Sequence, residues 1–268
     1  MALVTFISDF GDTDYYVPAV KAKMLSINPQ LIIVDITHHI EVYDIAHASF
    51  TLRSVYNDFP KGTIHLVAIN CTSSMTEGYI GIKLNDHVFV GPNNGVLSML
   101  ADEDPGIIVK FADIHIKDST FPAKDILGPI AAKVASGAAI HDFGGPLKSL
   151  KKMMARQIKA TKKQMVGYVL RVDNFGNLIT NIPKKVFDRL NPGKFTIEFG
   201  RETLDALHRS YGYVEPGDCF AFFNSLDLLE IGINHGHGAD LLGLKYDSPV
   251  YINFEQVAKP ETGQVEKK

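Results

Sequence analysis

The sequence predicts two parts: an N-terminal α/β domain with a mainly parallel sheet, and a smaller β-rich domain after it. Three observations carry this. Short apolar runs alternate with helical stretches across residues 3–111. A break at Gly144-Gly145-Pro146 opens a basic, poorly periodic stretch over 148–163. Beyond it lie short β-like runs separated by turn residues.

Residues 3–7 form a continuous apolar run, partly β-branched, and read as a buried strand. A helix follows over 15–26 and stops at Asn28-Pro29. Residues 31–36 give a second buried strand, 45–55 a helix with Ala, Phe and Leu on one face, and 63–69 a third strand after the turn Pro60-Lys61-Gly62. This alternation argues for parallel strands joined by right-handed crossovers. Residues 79–84 and 87–90 read as a hairpin with Asn85-Asp86 at its tip. Gly91-Pro92-Asn93-Asn94-Gly95 is a turn feeding a short helix from Val96; 107–111 is a strand and 125–136 a helix. The stretch 148–163 reads as a solvated connector. Strands are expected at 167–173, 177–181, 195–199, 219–224, 229–234 and 250–254, enough for a small barrel or sandwich. The polar tail after Ala258 is expected to fray.

Composition narrows function. Hydrophobic residues make up 46% and charged residues 21% of 268, which is globular and excludes disordered or collagen-like chains. The net charge of −3 leaves no positive excess to displace counterions, so no nucleic-acid partner is expected. Cys71 and Cys219 are too far apart for a CxxC site and too few for a disulfide framework. No apolar run approaches the roughly 20 residues of a membrane span. The opening segment is too short for a signal core, so a cytoplasmic protein without membrane association is expected.

Several segments could carry chemistry. Asp9 follows the first strand, where open parallel sheets bind ligands, and its carboxylate suits a ribose diol; Asp12 or Asp14 there could equally cap the next helix. Asn70-Cys71-Thr72-Ser73-Ser74 follows the third strand at the same edge and offers an anion or a water hydroxyls and amides, or is an ordinary loop. Gly91 to Gly95 could admit a close backbone approach, or be a tight turn only. Asp173-Asn174-Phe175-Gly176-Asn177 supplies a ring to stack on a purine and an amide to read its edge, or is a turn with a core Phe. His235-Gly236-His237, with His38, His39, His47 and His65, invites a metal reading, but no spacing identifies a third ligand, so no metal is expected. Walker, GxGxxG, GxSxG and HExxH motifs are absent.

Taken in order, Ser8-Asp9-Phe10-Gly11, Asp14-Tyr15-Tyr16-Val17, Ser26-Ile27-Asn28-Pro29, Val34-Asp35-Ile36-Thr37-His38, Phe59-Pro60-Lys61-Gly62-Thr63, Gly91-Pro92-Asn93-Asn94-Gly95, Phe175-Gly176-Asn177-Leu178-Ile179-Thr180-Asn181-Ile182 and Asn224-Ser225 resemble the S-adenosylmethionine hydroxide adenosyltransferases, relatives of the fluorinating and chlorinating enzymes. The resemblance implies an α/β adenosyl-binding domain over 1–150, a linker over 151–164 and a C-terminal β-barrel over 165–268. It further implies a homotrimer binding a small adenosyl ligand between neighbouring subunits, with S-adenosylmethionine as substrate and no cofactor. Asp9 would grip the ribose, and Asp14 would lie near the methionine end. Asp173 would take the methionine ammonium, and Ser225 would lie near its carboxylate. Phe175 and Tyr211 would flank the adenine, and Asn177 would read its edge.

The chain departs from the family at the water site. Hydroxide-transferring members carry Asp, Arg and His where this sequence has Asn70, Glu77 and Pro122. Halogenation is not expected: Ala123 replaces the halide-pocket Ser and the hairpin near Tyr79 is short, although Ser73 matches a pocket Thr of those relatives. The expected activity is hydrolysis of S-adenosylmethionine to adenosine and methionine, with Asn70, Ser73 and Glu77 as a rebuilt water site. The alternative is an inactive protein that binds or senses the adenosyl ligand.

Overall fold

The structure is a computed structural model and describes residues 2–72, 77–100, 105–112, 119–154, 156–190 and 193–255. The chain divides into two units, Met1–Ala155 and Arg156–Lys268.

In the first unit β1 (Leu3–Ser8), α1 (Tyr16–Ile27), β2 (Ile32–Thr37), α2 (Ile45–Val55) and β3 (Ile64–Ala68) follow the order read from the sequence. β1 lies between β2 and β3, parallel to both. A hairpin of β4 (Tyr79–Leu84) and β5 (His87–Pro92) then changes the sheet. Its two turn residues, Asn85 and Asp86, are both left-handed (φ 49° and 64°), the geometry that matches strand twist. β5 joins β3 in parallel; β4, β6 (Ile107–Phe111) and β7 (Gly144–Pro146) continue antiparallel, giving the order β2-β1-β3-β5-β4-β6-β7. The sheet is therefore mixed rather than mainly parallel. A two-residue turn reverses the chain without the crossover that parallel pairing needs. The Gly144-Gly145-Pro146 break is itself an edge strand: a Cβ on Gly144 would fall 1.9 Å from the Lys110 carbonyl oxygen.

Both faces of this sheet are buried because successive strand residues point to opposite sides. Phe6, Leu66 and Val90 pack with Val20 and Met24 of α1 and with Ile130 and Ala131 of α3 (Gly128–Ala135). Ile7, Val67 and Phe89 pack on the other side with Ala48 and Leu52 of α2. Asp44 caps α2 by accepting from the His47 amide at 2.9 Å, a contact worth ~1 kcal/mol. The helix expected over 125–136 begins instead with a π-helical turn, Ala123–Leu127, before α3. The expected connector is tied down at its start, where the Lys151 amide donates to Asn93 Oδ1 at 2.9 Å and the Met153 amide to Ser98 Oγ at 3.1 Å.

The second unit is an antiparallel sheet of eight strands. β8 (Lys159–Ala160) pairs with β9 (Gln164–Val172), β10 (Leu178–Pro183) follows, and then come α4 (Lys184–Leu190), β11 (Phe195–Phe199) and β12 (Glu202–Leu204). The chain continues through β13 (Cys219–Phe223), β14 (Leu228–Ile233), α5 (Gly238–Leu242) and β15 (Pro249–Phe254). The main path runs β12-β11-β15-β9-β10-β14-β13. Its ends approach each other: the His208 amide, just past β12, donates to the Ala221 carbonyl at 2.7 Å, and the Ala221 amide to His208 Nδ1 at 3.2 Å. The sheet is thus nearly closed and barrel-like, which shields its edges. Met165, Leu178, Ile197, Phe199, Ile231 and Ile252 fill its interior. Among the described residues, no helix is long and apolar enough to cross a membrane.

Candidate functional site

Two clusters stand out, one in each unit. The first sits at the carboxyl end of β1. Asp9 Oδ2 accepts from the backbone amides of Asn70 (3.0 Å) and Tyr43 (3.3 Å). Both donors are left-handed, at φ 50° and 67°. That conformation costs a non-glycine residue on the order of 1 kcal/mol, and here it aims two amides at one carboxylate oxygen. Among the described residues, no hydrogen bond reaches Oδ1. Asn94 braces this edge: its Nδ2 donates to the Ile69 carbonyl (3.0 Å), just before Asn70. The Gly91 to Gly95 turn thus serves the site from behind, and Asn93 and Asn94 are both buried. At Gly91 a Cβ would lie 2.8 Å from the Val67 carbonyl oxygen.

A chain of polar contacts, buried at Ser8 and His38 and open to solvent at Asp35 and Lys21, runs beside Asp9. Ser8 Oγ lies 2.7 Å from His38 Nδ1, His38 Nε2 lies 3.1 Å from Asp35 Oδ1, and Lys21 Nζ lies 2.5 Å from Asp35 Oδ2. The order Ser–His–Asp is that of a hydrolytic triad, yet Ser8 is fully buried and cannot reach a substrate. The Gly11 amide donates to the His38 carbonyl (2.8 Å), so His38 fixes the chain on both sides of Asp9. Burial pushes the His38 imidazole below its usual range, and contact with Asp35 opposes that. This pairing, formed across two strands, carries no sequence signal beyond the residue types.

The positions that the resemblance assigns to water handling behave differently. Glu77 is exposed. Pro122 is buried and leads into the π-helical turn, and Ala123 belongs to the core, so the position filled by His in the family is structural here. Ser73 lies outside the described residues. Burial, reinforced by the Asp9 charge, pushes the Cys71 thiol well above its usual range, which makes it a poor nucleophile. Phe10, Tyr16 and Phe121 cluster nearby with centroids 5.3–5.8 Å apart, Phe121 meeting the other two edge-to-face. Asp14 is exposed just before α1.

The second cluster lies in the barrel-like unit. Phe175, Asn177 and Tyr211, expected together from the sequence, line one cavity of about 400 Å³ with Phe220, Ile233 and Asn234 to Gly236. That volume is in the range of small-ligand sites. Phe175 is 74% and Tyr211 59% exposed, so two large rings stand open to solvent around it. Asp173 builds the loop: its Oδ1 accepts from the amides of Phe175 (2.9 Å) and Asn177 (2.8 Å). Its Oδ2 accepts from Asn177 Nδ2 at 3.1 Å. Gly176 is left-handed at φ 84°, and a Cβ there would strike the His237 ring at 2.5 Å. His237 in turn pairs with Asp240 at 2.9 Å, and Ala239 donates to the Gly176 carbonyl at 2.8 Å. The histidines of the 235–237 segment therefore shape this loop; among the described residues no group of three candidate ligands could hold a metal.

Ser225 is exposed in the turn between β13 and β14. Asn224 organises that turn: its Oδ1 accepts from the amides of Leu226 (2.9 Å) and Leu228 (3.2 Å), and its Nδ2 donates to Glu230 Oε2 at 2.9 Å. Glu230 is buried, and the Asn224 amide is its hydrogen-bond partner. Burial raises its carboxyl above the usual range, the Asn224 amide lowers it, and the Asp173 charge raises it again. Sequence reasoning missed Glu230, Phe220 and Tyr43. Glu230 and Phe220 sit in strand patterns that read as ordinary sheet, and Tyr43 acts through its backbone.

Comparison with known proteins follows the same division. The SAM hydroxide adenosyltransferase N-terminal domain matches residues 4–144, and the C-terminal domain of that family matches 167–251. An (R)-S-adenosyl-L-methionine hydrolase of Methanocaldococcus jannaschii is 30% identical over 266 residues, covering 94% of this chain and 96% of its own. The hydrolase of that name from Thermus thermophilus is 29% identical, covering 94% of this chain and all of its own. A crystal structure of a conserved protein from Thermotoga maritima superposes with a TM-score of 0.85 at 30% identity, over 93% of this chain and 99% of that one. With both domains matched in order over most of its length, this chain belongs to the S-adenosylmethionine hydroxide adenosyltransferase family.

Proposed function

We propose that this protein hydrolyses S-adenosylmethionine to adenosine and L-methionine. The observation that carries the reading is the pair of ligand-shaped clusters: a backbone-anchored carboxylate in one unit and an aromatic cavity with an amide in the other. Asp9 takes the ribose hydroxyls, Phe175 and Tyr211 flank the adenine, and Asn177 reads its edge. Asp173 faces the methionine ammonium and Ser225 its carboxylate, with Asp14 near that end.

The chemistry asks little of the protein. Water oxygen forms a bond to the ribose 5′ carbon, the carbon–sulfur bond breaks, and methionine leaves as a neutral thioether. One water proton goes to a base or to solvent. The sulfonium needs no general acid, so positioning and desolvation dominate. Asn70 orients the water, Ser73 supplies a hydroxyl, and Glu77 accepts the proton.

The β-rich unit completes a β-barrel in this reading, and the active assembly is a homotrimer in which the two clusters come from neighbouring subunits. Two open aromatic rings on a free surface are unfavourable without a partner to cover them. Light scattering checks the trimer; a monomeric mass with full affinity for adenosine overturns the shared site.

The exposed Glu77 and the buried Pro122 favour a second reading, a binder without turnover. Incubation with S-adenosylmethionine, followed by chromatography and calorimetry, separates the two. Adenosine release supports the hydrolase, and tight binding without release supports the binder. The triple variant Asn70→Asp, Glu77→Arg, Pro122→His restores the family pattern, and a gain of hydrolysis over an inert parent assigns the natural chain as a binder.

A further inference from the structure

The carboxylate of Asp9 is anchored by two amides, but the backbone that carries it is set by one histidine. β1 and β2 keep register as far as Phe6 against Asp35, and Ile7 then pairs with Thr37, so Ile36 is an extra residue on β2. Carried one step on, this register sets Ser8 against His38. Without the extra residue Ser8 would face Thr37, and His38 would stand opposite Asp9. The bulge thus brings the imidazole beside Ser8, with Nδ1 2.7 Å from Oγ. The His38 ring is 7% exposed and packs edge-on to Phe6, with centroids 4.7 Å apart, which fixes its plane.

The Ser8 contact runs in one direction. His38 Nε2 lies 3.1 Å from Asp35 Oδ1 but off the axis of a ring N–H, so this contact is electrostatic rather than an aligned hydrogen bond. A bare nitrogen lone pair that close to a carboxylate is repelled and an N–H is attracted, so the ring proton belongs on Nε2. Burial holds the imidazole below its usual range and keeps a second proton off. Nδ1 is then an acceptor, and the Ser8 hydroxyl donates to it. The lone pairs of Ser8 Oγ are left for the Phe10 amide, which approaches at 3.4 Å and closes a turn around Asp9. That bond is long, so it depends on the hydroxyl being held. Gly11, left-handed at φ 69°, donates to the His38 carbonyl at 2.8 Å. Ser8 and Gly11 are therefore tied to a single residue, with Asp9 between them.

We propose that His38 is a positioning residue: through the Ser8 hydroxyl and its own carbonyl it sets the turn that presents Asp9 to the vicinal diol of a ligand. This rests on the reading of Asp9 as the ribose carboxylate and names what places it. His38 touches no ligand; it acts through Ser8 and the turn. The Ser8–His38–Asp35 order is thus put to orienting a carboxylate and not to activating a nucleophile.

The test uses the full-length protein and two probes that differ only in the diol, adenosine and 2′,3′-dideoxyadenosine, titrated by calorimetry. Wild-type protein is expected to prefer adenosine at least ~100-fold. An Asn side chain sets its amide where His38 carries Nδ1, and a Gln sets its amide where the ring carries Nε2. His38→Gln therefore keeps a group beside Asp35 but loses the acceptor for Ser8, and its preference is expected to fall roughly tenfold, the worth of about one hydrogen bond. His38→Asn keeps the acceptor and is expected to retain the wild-type preference. Ser8→Ala is expected to match His38→Gln, and the two together to lose no more than either alone. Should His38→Gln fail to fold, Ser8→Ala, which removes only the hydroxyl, carries the same expectation. An unchanged preference in the folded variant, an equal fall in His38→Asn, or equal weakening of both probes makes His38 merely structural and overturns the inference while the ligand reading stands. If wild-type protein binds both probes equally, Asp9 loses the ribose and the inference falls with that role. If it binds neither, the adenosyl reading falls as a whole and takes the inference with it.

Discussion

The cavity in the barrel-like unit and the edge of the mixed sheet are built to different standards. Around the cavity each polar group answers another: Asp173 holds the loop and the Asn177 amide, and Glu230 is held by Asn224. At the sheet edge the carboxylate of Asp9 is equally well anchored, but the positions that would handle water are an exposed Glu77 and a buried Pro122. A ligand cage needs many groups held at once, because each misplaced contact weakens binding. A reaction whose leaving group is already activated needs only a water in line, and it tolerates a sparser arrangement. The difference therefore teaches which half of the molecule constrains the sequence more.

The comparison breaks most sharply at Glu77. Glu77→Gln keeps shape and removes the base, so the rate of adenosine release is expected to fall roughly 10²–10⁴-fold with adenosine affinity unchanged. Single-turnover chromatography reads the rate; a wild-type rate assigns proton acceptance elsewhere. Asp9→Ala comes next. On the proposed role it removes two charge-assisted hydrogen bonds to a ribose diol, each worth roughly 1.5–3 kcal/mol, and calorimetry is expected to show adenosine binding at least ~100-fold weaker. Unchanged affinity would remove Asp9 from the site. Phe175→Ala and Tyr211→Ala are each expected to weaken adenosine about tenfold, since stacking one base contributes roughly 1–3 kcal/mol.

An effect on stability rather than on the ligand lies in the core of the first unit. His65 is fully buried, its Nδ1 2.7 Å from Thr5 Oγ1 and its Nε2 3.1 Å from His87 Nδ1. Burial, aided by the neighbouring His87, lowers its pKa from 6.5 to about 3. A depressed histidine is neutral when folded and takes up a proton when unfolded. Its stabilising contribution is therefore whole above pH 6.5 and is lost as pH falls towards 3. Urea titrations at pH 7 and pH 4.5 are expected to show the loss, at most ~1.4 kcal/mol per pH unit. In His65→Phe the slope is expected to flatten.

Much of this was legible from residue order. The strands of the first unit and the paired aromatics of the cavity follow from apolar periodicity, turn residues and the family resemblance. Three kinds of feature were not. Short elements such as α4 and α5 have too few residues for a period to register, and α4 is held by the burial of Phe187 rather than by propensity. The antiparallel half of the first sheet depends on where the hairpin docks, and nothing local to residues 79–92 fixes that. The Ser8–His38–Asp35 chain joins residues whose meeting requires β1 and β2 already to be paired. Asp9 itself was visible in the sequence, but the two amides that anchor it belong to loops 34 and 61 residues away.

Those two amides have a spectroscopic consequence. The Asn70 and Tyr43 N–H groups point at Asp9 Oδ2, and in the proposed function a ribose diol would meet Oδ1, so they report on the carboxylate without contacting what would bind it. Any group that draws charge onto Oδ1 weakens the pull of Oδ2 on both hydrogens. In a nitrogen–proton correlation spectrum their two resonances should move together, upfield and in proportion to occupancy. If Asp9 takes the ribose as proposed, these amides are a built-in pair of reporters for that site, readable without a labelled ligand or a turnover event.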